Sequence, residues 1–331
     1  MHRLLAAVAM IGALTGSTLA QIAGAQPSAQ TPGPTWPSKA MRIVVPWPPG
    51  GSADMIGRIL AEHLGNAFGQ SVVVENRPGA SGMVGSAAVA HADPDGSTFV
   101  ISGIPSHVIA PATSANAPFD PVKDFTHIAY VGGPPNVFVV NPGFGVRSLK
   151  ELVELGRRGQ VIDYVSPGVG TLGHLLAETF AQKAGIKLQQ IMTKGASQGM
   201  MDLISGNVNV GTMTWTSALT QIRAGKVIPI AVSSNARLAE FPDLPTFKDL
   251  GYADLTAVSW FALSGPAGLP SDITARLNAA VARMLELPEV RRRLDRDAVE
   301  TRVMSSDEFT QFLASEIDKW APVAKRVMQA N

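Results

Sequence analysis

The sequence predicts an α/β protein in which two lobes, each with its own sheet, are hinged around a cleft. Short β-branched segments alternate with segments whose apolar residues recur at helical spacing, a rhythm typical of parallel sheets covered by helices. The rhythm runs from Met41 to Ser102 and restarts near Asn141-Pro142, which indicates a second unit. A late strand-like segment, Ser259–Ser264, is followed only by helical patterns and predicts a return to the first sheet.

The first lobe begins with a strand, Met41–Pro46, which ends in the turn Pro48-Pro49-Gly50-Gly51. A helix follows, because Ile56, Leu60 and Leu64 are spaced by four. The rest of this series is predicted as a strand at Val72–Glu75, a helix at Met83–Ala92 and a strand at Thr98–Ser102.

The second lobe is predicted to begin with a helix that Ser148 caps. Four further strands are predicted, at Asp163–Ser166, Gln189–Met192, Val208–Met213 and Ile228–Ser233. Two further helices are predicted, at His174–Ala184 and Gly199–Ser205. Three helices then complete the first lobe: Asp272–Glu286, Glu289–Asp297 and Asp307–Met328, the last preceded by a Ser305/Glu308 capping box. The expected first lobe is therefore residues 36–141 with 262–331, and the expected second lobe is residues 142–261.

The first 25 residues have the layout of a secretory signal peptide. His2 and Arg3 precede an apolar run from Leu4 to Leu14 that is too short to span a bilayer, and Ala23-Gly24-Ala25 offers a cleavage site. Cleavage after Ala25 is expected, with Ala20 as the alternative. Residues 26–35, rich in Pro, Ser, Thr and Gln, predict a disordered leader. The expected localisation is a bacterial periplasm.

Composition excludes several classes of function. The 331 residues include no cysteine, which excludes thiolate zinc sites, cysteine nucleophiles and a lipid-modified N-terminal cysteine. Of 27 basic and 26 acidic residues only Arg3 precedes residue 26, so the mature chain is formally neutral and nucleic acid is not an expected partner. The histidines at 63, 91, 107 and 127 lack metal-ligand spacing, so no metal site is predicted. No cofactor is predicted either.

The segment Gly168–Gly173 matches the G-x-G-x-x-G pattern between a predicted strand and a predicted helix. A dinucleotide site would need an acid about 20 residues further on, and Lys187–Met192 contains none. The glycines instead predict a loop whose free backbone N–H groups, at the positive end of a helix, accept an anion. His174 follows this loop, where it either faces the cleft or belongs to the start of the helix.

The segment Gly195–Gly199 matches the nucleophile-elbow pattern G-x-S-x-G, again between a strand and a helix. A hydrolase of that fold needs its histidine after the serine, but the last histidine of the chain is His174. Ser197 is therefore predicted to be a polar group at a helix N-terminus.

The turn Pro48–Asp54 is a third strand-to-helix loop of this kind. Asp54 suits the positive helix end, with Arg58 as its partner four residues on. Trp47 and Trp215 lie next to the proposed cleft loops, where each either forms an aromatic wall or packs in the core.

Together these segments resemble the Bug family, the extracytoplasmic solute receptors of tripartite tricarboxylate transporters. The similarity is carried by Val44–Asp54 with Arg58, by VVVENRPG at 72–79, by AVAHADPDG at 88–96 and by GVGTLGHL at 168–175. It continues through Lys194-Gly195, RAGKVIPIAVSS at 223–234, Ser259–Pro270 and Phe309–Trp320, and so covers essentially the whole mature chain.

The resemblance implies a type II periplasmic-binding-protein fold and a carboxylate held mainly by backbone N–H groups, hydroxyls and waters. It points to residues 50–53 of the first lobe facing Gly170, Thr171 and His174 of the second, with Ser197 at a third edge. Ser52 and Thr171 are the best hydroxyl candidates. The full set of predicted ligand-binding residues is Trp47, Gly50, Gly51, Ser52, Ala53, Asp54, Ser106, Gly168, Gly170, Thr171, His174, Gly195, Ala196, Ser197, Thr214 and Trp215.

The chain departs from the family pattern at Thr193, where an aromatic residue is common, and at Thr214-Trp215, where a Phe-Asp pair is common. An aspartate there would engage an amine, so an amino-acid ligand is not favoured, and Trp215 suggests a flatter or smaller organic acid. The expected role is a monomeric, non-enzymatic binding protein that delivers a small carboxylate to membrane permease subunits. The alternative is a sensory protein that presents its ligand to a membrane-bound sensor kinase.

Overall fold

A computed structural model describes residues 36–193 and 195–330 of the chain. The predicted signal peptide (1–25), the predicted leader (26–35) and Lys194 lie outside the described residues. Within the part of the chain that is described, no helix is both long and apolar enough to cross a bilayer.

Strands and helices alternate along most of the described chain. The strands are β1 (Met41–Val45), β2 (Val72–Asn76), β3 (Thr98–Gly103), β4 (Phe125–Gly133), β5 (Asn136–Val140), β6 (Ile162–Val165), β7 (Leu188–Ile191), β8 (Val210–Thr214), β9 (Ile228–Val232), β10 (Phe261–Pro266) and β11 (Glu300–Thr301). The α-helices are α1 (Ser52–Phe68), α2 (Met83–Ala90), α3 (Ala110–Thr113), α4 (Leu149–Arg157), α5 (Leu172–Ala184), α6 (Ala196–Ser205), α7 (Trp215–Arg223), α8 (Ser271–Glu286), α9 (Pro288–Arg296) and α10 (Ser306–Ala330).

The strands form two sheets, which define two lobes. The first lobe has the order β11-β4-β10-β3-β1-β2, with β1 parallel to β2 and β3, and β10 antiparallel to β3 and β4. The second lobe has the order β7-β6-β8-β5-β9, with β6 parallel to β7 and β8, and β5 antiparallel to β8 and β9. The predicted parallel β1–β2–β3 unit and the return of the chain into the first sheet at β10 are both present.

Two crossing segments, residues 134–135 and 256–260, connect the lobes. They pair with each other, because Ser259 N–H donates to the Pro134 carbonyl at 2.9 Å and Pro135 forms an isolated bridge with Val258. The lobes are thus joined by two adjacent strands of chain, an arrangement that allows hinge motion.

The predicted boundary at 141/142 needs correction, because β5 belongs to the second sheet. The chain crosses before Asn136, not at Asn141-Pro142. The sequence break at Asn141 has another cause: its side chain accepts the Gly143 N–H at 2.7 Å and caps a short 3₁₀ turn after β5. Neither β4, β5 nor α7 was predicted.

Helix α1 shows why the first lobe folds as the sequence predicts. Ile56, Leu60 and Leu64 are each at most 1% exposed and lie in one core with β1 and α8. Full burial of such a side chain contributes about 1.5–3 kcal/mol. Gly57 lets the helix approach the sheet, since a Cβ there would lie 2.7 Å from Val45 Cγ2.

The predicted capping box at the start of α10 is confirmed. Ser305 Oγ accepts the Glu308 N–H at 3.2 Å, and the Glu308 carboxylate accepts the Ser305 N–H at 2.8 Å. These bonds fix the start of the long helix that packs on β4 of the first lobe and on α5 of the second.

Candidate functional site

A pocket of about 450 Å³ lies between the two lobes. Its walls include the N-terminal ends of four helices: α1 from the first lobe, and α5, α6 and α7 from the second. The first N–H groups of a helix have no partner within the helix. Four such ends around one space make a pocket rich in hydrogen-bond donors, which suits an anion.

The turn between β1 and α1 forms the edge that belongs to the first lobe. Trp47 to Ala53 all line the pocket. Gly51 is the N-cap residue, with an extended backbone (φ −92°, ψ 177°), and no side chain caps the helix. The N–H groups of the first turn of α1 are therefore left for a ligand.

Asp54 does not line the pocket, although it was among the predicted ligand-binding residues. Its buried carboxylate accepts hydrogen bonds from Arg58 Nε and Nη2 (2.9 and 3.0 Å), Asn76 Nδ2 (3.0 Å) and Gly50 N–H (3.2 Å). Burial alone would raise the pKa of Asp54, but these bonds outweigh it and hold the pKa below its ordinary value. Since Asn76 also donates to the Trp47 carbonyl at 3.1 Å, the Asp54 network fixes the turn from behind.

Thr171 is the N-cap residue of α5 and lines the pocket, but its hydroxyl is engaged within its own loop. It donates to the Gly168 carbonyl at 2.8 Å and accepts the His174 N–H at 3.4 Å. In the structure the hydroxyl proton of Thr171, a predicted ligand-binding residue, is therefore engaged by its own loop. Gly168 and Gly170, with φ of +150° and +74°, shape the loop without lining the pocket. Leu172 and Gly173 line it instead.

His174 lies behind this loop and does not line the pocket. The side chain is 1% exposed, Nδ1 accepts the Gly170 N–H at 3.2 Å, and Nε2 has no partner among the described residues. Burial lowers the pKa of His174 to about 4. Of the two positions that the sequence left open, the structure places His174 at the start of the helix.

Helix α6 forms the third edge. Gly195, Ala196 and Ser197 line the pocket, and no side chain caps the helix at Gly195. Met200, Met201 and Ile204, further along the same face, give this edge an apolar wall. Among the described lining residues there is no histidine or carboxylate that would act as a base for Ser197.

Helix α7 contributes a row of polar groups and one contact across the cleft. Thr214, Ser217 and Gln221 line the pocket, and no side chain caps α7. Ser52 Oγ of the first lobe donates to Thr214 Oγ1 of the second at 3.1 Å, and Thr214 shares a further hydrogen bond of 2.8 Å with Ser217. The buried Gln221 Oε1 has no partner within the described chain.

The two tryptophans of the predicted site have different positions. Trp47 lines the pocket and meets Phe261 edge-to-face at 5.7 Å between ring centroids. Trp215 is 2% exposed and packs on Phe241 at 5.1 Å, in the core of the second lobe. Trp215 therefore forms no wall of the pocket, and the inference of a flatter or smaller acid loses its basis.

Ser106 also lies outside the pocket, since it is fully buried and its hydroxyl hydrogen-bonds His107 Nδ1 at 2.9 Å. Sequence reasoning missed Asn136 and Ser259, which line the pocket and are joined by a 2.9 Å hydrogen bond from Asn136 Nδ2 to Ser259 Oγ. The buried Asn136 Oδ1 has no partner in the described residues. Only the family resemblance over Ser259–Pro270 gave a signal for this part of the site.

The described lining residues include no charged side chain. Their polar groups are hydroxyls and amides, and their apolar groups come from aromatic, proline, leucine, isoleucine and methionine side chains. The described residues also form no cluster of three or more candidate metal ligands. Neutral donors beside apolar walls suit an organic anion with a hydrocarbon body.

A sequence model of the receptors of the tripartite tricarboxylate transporter family matches residues 56–328. The chain is also 32% identical over 294 residues to the protein BugT of Bordetella pertussis, covering 88% of this chain and 90% of BugT.

Solved structures show the same two-lobed fold. R. palustris Rpa4515 with adipate superimposes with a TM-score of 0.84 at 29% identity, covering 88% of this chain and 98% of that one. MatC from Rhodopseudomonas palustris with bound malate superimposes with a TM-score of 0.80 at 26% identity, covering 87% of this chain and 99% of that one.

Proposed function

The chain belongs to the tripartite tricarboxylate transporter receptor family, and from that premise we propose that it captures a small organic acid in the periplasm by its carboxylate. The observation that carries the proposal is the convergence of four helix N-termini on one pocket. Each end carries roughly half a positive charge. Three of the four, those of α1, α6 and α7, have no side-chain cap that would compete with a ligand.

In this proposal the carboxylate of the ligand lies between the α1 turn and the facing ends of α6 and α7. Gly51 and Ser52 offer backbone N–H groups from one lobe, and Ser197 offers a hydroxyl from the other. Hydrogen bonds to an ionised group are stronger than neutral ones. A carboxylate between the lobes therefore favours their approach, which is how hinged binding proteins hold a ligand.

The body of the acid is placed against the apolar walls, which Trp47, Phe261 and Met200 help to form. The described lining provides no carboxylate to pair with an amine, so the favoured ligand carries no ammonium group. The structures with adipate and malate belong to relatives. They support linear dicarboxylates as the first ligands to test.

Calorimetric titration of the purified protein with malate, adipate and adipamide tests the proposal. We expect saturable binding of at least one acid, a higher melting temperature in its presence, and no binding of the uncharged diamide. If the diamide bound as tightly as adipate, the proposed recognition of charge would be wrong.

Delivery to membrane permease subunits is the expected step after capture. Deleting the gene should abolish uptake of the acid identified by calorimetry. A loss of transcriptional response with uptake intact would instead indicate the sensory role.

A further inference from the structure

A second cavity, of about 180 Å³, lies next to the crossing segments. We name it the hinge cavity. Its walls include Tyr130 of β4, Trp260 of the crossing segment, Glu300 of β11, and Phe312, Glu316 and Trp320 of α10. From Val258 to Phe261 the residues alternate between the two spaces, since Val258 and Trp260 line the hinge cavity whereas Ser259 and Phe261 line the pocket.

Three aromatic rings form a rigid group on one side of the hinge cavity. The centroids of Tyr130 and Phe312 are 5.2 Å apart, those of Trp260 and Phe312 5.6 Å, and those of Tyr130 and Trp260 6.3 Å. Tyr130 and Trp260 are 5% and 1% exposed, so these rings have little freedom to move. The faces of such rings attract cations.

Two carboxylates face the same space. Glu316 is half-buried and accepts a 2.8 Å hydrogen bond from Trp260 Nε1, and burial raises its pKa. Glu300 reaches solvent at the rim, but partial burial of its carboxyl group raises its pKa as well. All three of Tyr130, Glu300 and Glu316 line the hinge cavity. After burial, the charges of Glu316 and then Glu300 are the next causes that raise the pKa of Tyr130.

Lys319 and Trp320 of α10 also line the hinge cavity. Trp320 is 3% exposed, and its Nε1–H makes no well-formed hydrogen bond within the described chain although it faces Glu316. The ammonium group of Lys319 lies 4.8 Å from the centroid of the Trp320 ring. One aromatic wall of the hinge cavity therefore already holds an ammonium group, supplied by an exposed side chain of the same helix.

We propose that the hinge cavity is a second ligand site, distinct from the carboxylate pocket, and that it binds a small organic ammonium ion. Aromatic faces would contact the alkyl groups of the cation while Glu316 and Glu300 balance its charge. A bare metal ion fits less well, because the described residues form no group of three or more metal ligands. Lys319 competes with the ligand from the rim.

The test is calorimetric titration of the purified protein with tetramethylammonium chloride, with tryptophan fluorescence as a second readout. Sodium chloride at equal ionic strength controls for salt, and tert-butanol controls for shape without charge. We expect saturable binding of tetramethylammonium and none of either control. Absence of saturable binding, or equal binding of tert-butanol, would overturn the proposal.

Variants separate the proposed contacts. Glu316→Gln keeps an acceptor for Trp260 and should weaken tetramethylammonium at least about tenfold, whereas the exposed Asp318→Asn on the same helix should not change its affinity. Lys319→Met should tighten binding several-fold because it removes the competing ammonium group. Unchanged affinity in Glu316→Gln, or weaker binding in Lys319→Met, would contradict the assignment.

The pH dependence gives an independent measurement. Affinity for tetramethylammonium should fall as the pH drops through the raised pKa of Glu316, because the protonated carboxyl group no longer balances the cation. Tyr130, Glu300 and Lys319 face the same space, and Arg302 lies near Tyr130. The Glu316→Gln variant should show a flatter profile, and an equally steep profile in that variant would count against the role of Glu316.

Discussion

The pocket and the hinge cavity use neighbouring residues of one crossing segment, yet they present opposite chemistry. The pocket offers hydroxyls, amides and helix ends, with no charged side chain among its described lining residues. The hinge cavity offers two carboxylates and four aromatic rings. The two proposals assign anion binding to the backbone of the first space and cation binding to the side chains of the second. Residues 258–261 alternate between the two spaces and so lie between the two proposed sites.

This difference determines how each space responds to mutation. Backbone N–H groups survive every substitution except proline, so the helix ends of the pocket can be blocked by bulk or loosened by disturbing their supports, and only its hydroxyls and side-chain amides can be removed singly. The carboxylates of the hinge cavity can be neutralised one at a time without a change of volume.

The largest effect is expected from Gly51→Val. The backbone φ of −92° suits valine, and a Cβ at Gly51 meets no other atom within 4 Å, so the fold should survive. The added side chain should obstruct the approach of a ligand to the N–H groups at the start of α1, which line the pocket. Carboxylate affinity should fall at least about 1000-fold, or about 4 kcal/mol. Calorimetry with the acid that binds the unaltered protein measures this loss.

Two controls accompany Gly51→Val. Gly51→Ala should cause a smaller loss, and tetramethylammonium affinity should be unchanged in both variants because Gly51 does not line the hinge cavity. Normal carboxylate binding in the valine variant, combined with its loss in Lys194→Met, would show that the site is a side-chain ion pair.

The strand-to-helix loops could be predicted from sequence because each combines glycine with the start of an amphipathic helix. Ten of the predicted ligand-binding residues line the pocket: Trp47, Gly50, Gly51, Ser52, Ala53, Thr171, Gly195, Ala196, Ser197 and Thr214. Their contacts with a ligand remain predictions. The other six, Asp54, Ser106, Gly168, Gly170, His174 and Trp215, lie close in sequence to this surface but are turned into networks behind it or into the core.

What could not be predicted depends on contacts between distant segments. The hydroxyl proton of Thr171 is used by a carbonyl of its own loop, and Asn136 reaches the pocket only because β5 crosses into the second sheet. The hinge cavity has no local motif, since Tyr130, Trp260 and Glu316 are far apart in the chain. The local periodicity of the sequence does not predict these long-range contacts.

The second prediction concerns acid, to which the two regions should respond in opposite ways. His174, behind the pocket, has a pKa of about 4 in the folded protein against an ordinary 6.5. Between these values the unfolded chain binds more protons, so the free energy of unfolding should fall as the pH drops from 6.5 to 4, by about 3 kcal/mol for this group. Above pH 6.5 His174 is neutral in both the folded and the unfolded chain, so its burial no longer lowers the free energy of unfolding.

The carboxyl group of Glu316 has the opposite effect on the pH dependence of the free energy of unfolding. Its pKa is raised in the folded protein, so the folded chain binds more protons than the unfolded chain between the raised pKa and 4.5, and folding gains from acid in that window. His174→Asn should therefore flatten the loss of stability in acid, and Glu316→Gln should steepen it. Denaturant unfolding from pH 7 to pH 4 measures both, with the exposed His91→Gln as a control. Parallel changes in the two variants would contradict the contrast.

The third prediction tests whether the pocket rejects positive charge. Aspartate differs from malate by an ammonium group in place of a hydroxyl, and the described pocket lining has no carboxylate to pair with it. If the protein binds malate, aspartate should bind at least about tenfold more weakly. Thr214→Asp should narrow this gap by placing a carboxylate in the pocket. Equal affinities in the unaltered protein would mean that the pocket does not discriminate by charge.

The smallest effect is expected at the hydrogen bond that joins the lobes. Ser52 Oγ donates to Thr214 Oγ1 at 3.1 Å across the cleft. Neither residue lines the hinge cavity. Ser52→Ala and Thr214→Val should each weaken carboxylate binding by about 1 kcal/mol, the usual contribution of one neutral hydrogen bond. If the two hydroxyls act through each other, the double variant should lose less than the sum of the single losses, as a double-mutant cycle by calorimetry would show. Additive losses would mean that each hydroxyl contacts the ligand separately, and the cleft would then close without help from this bond.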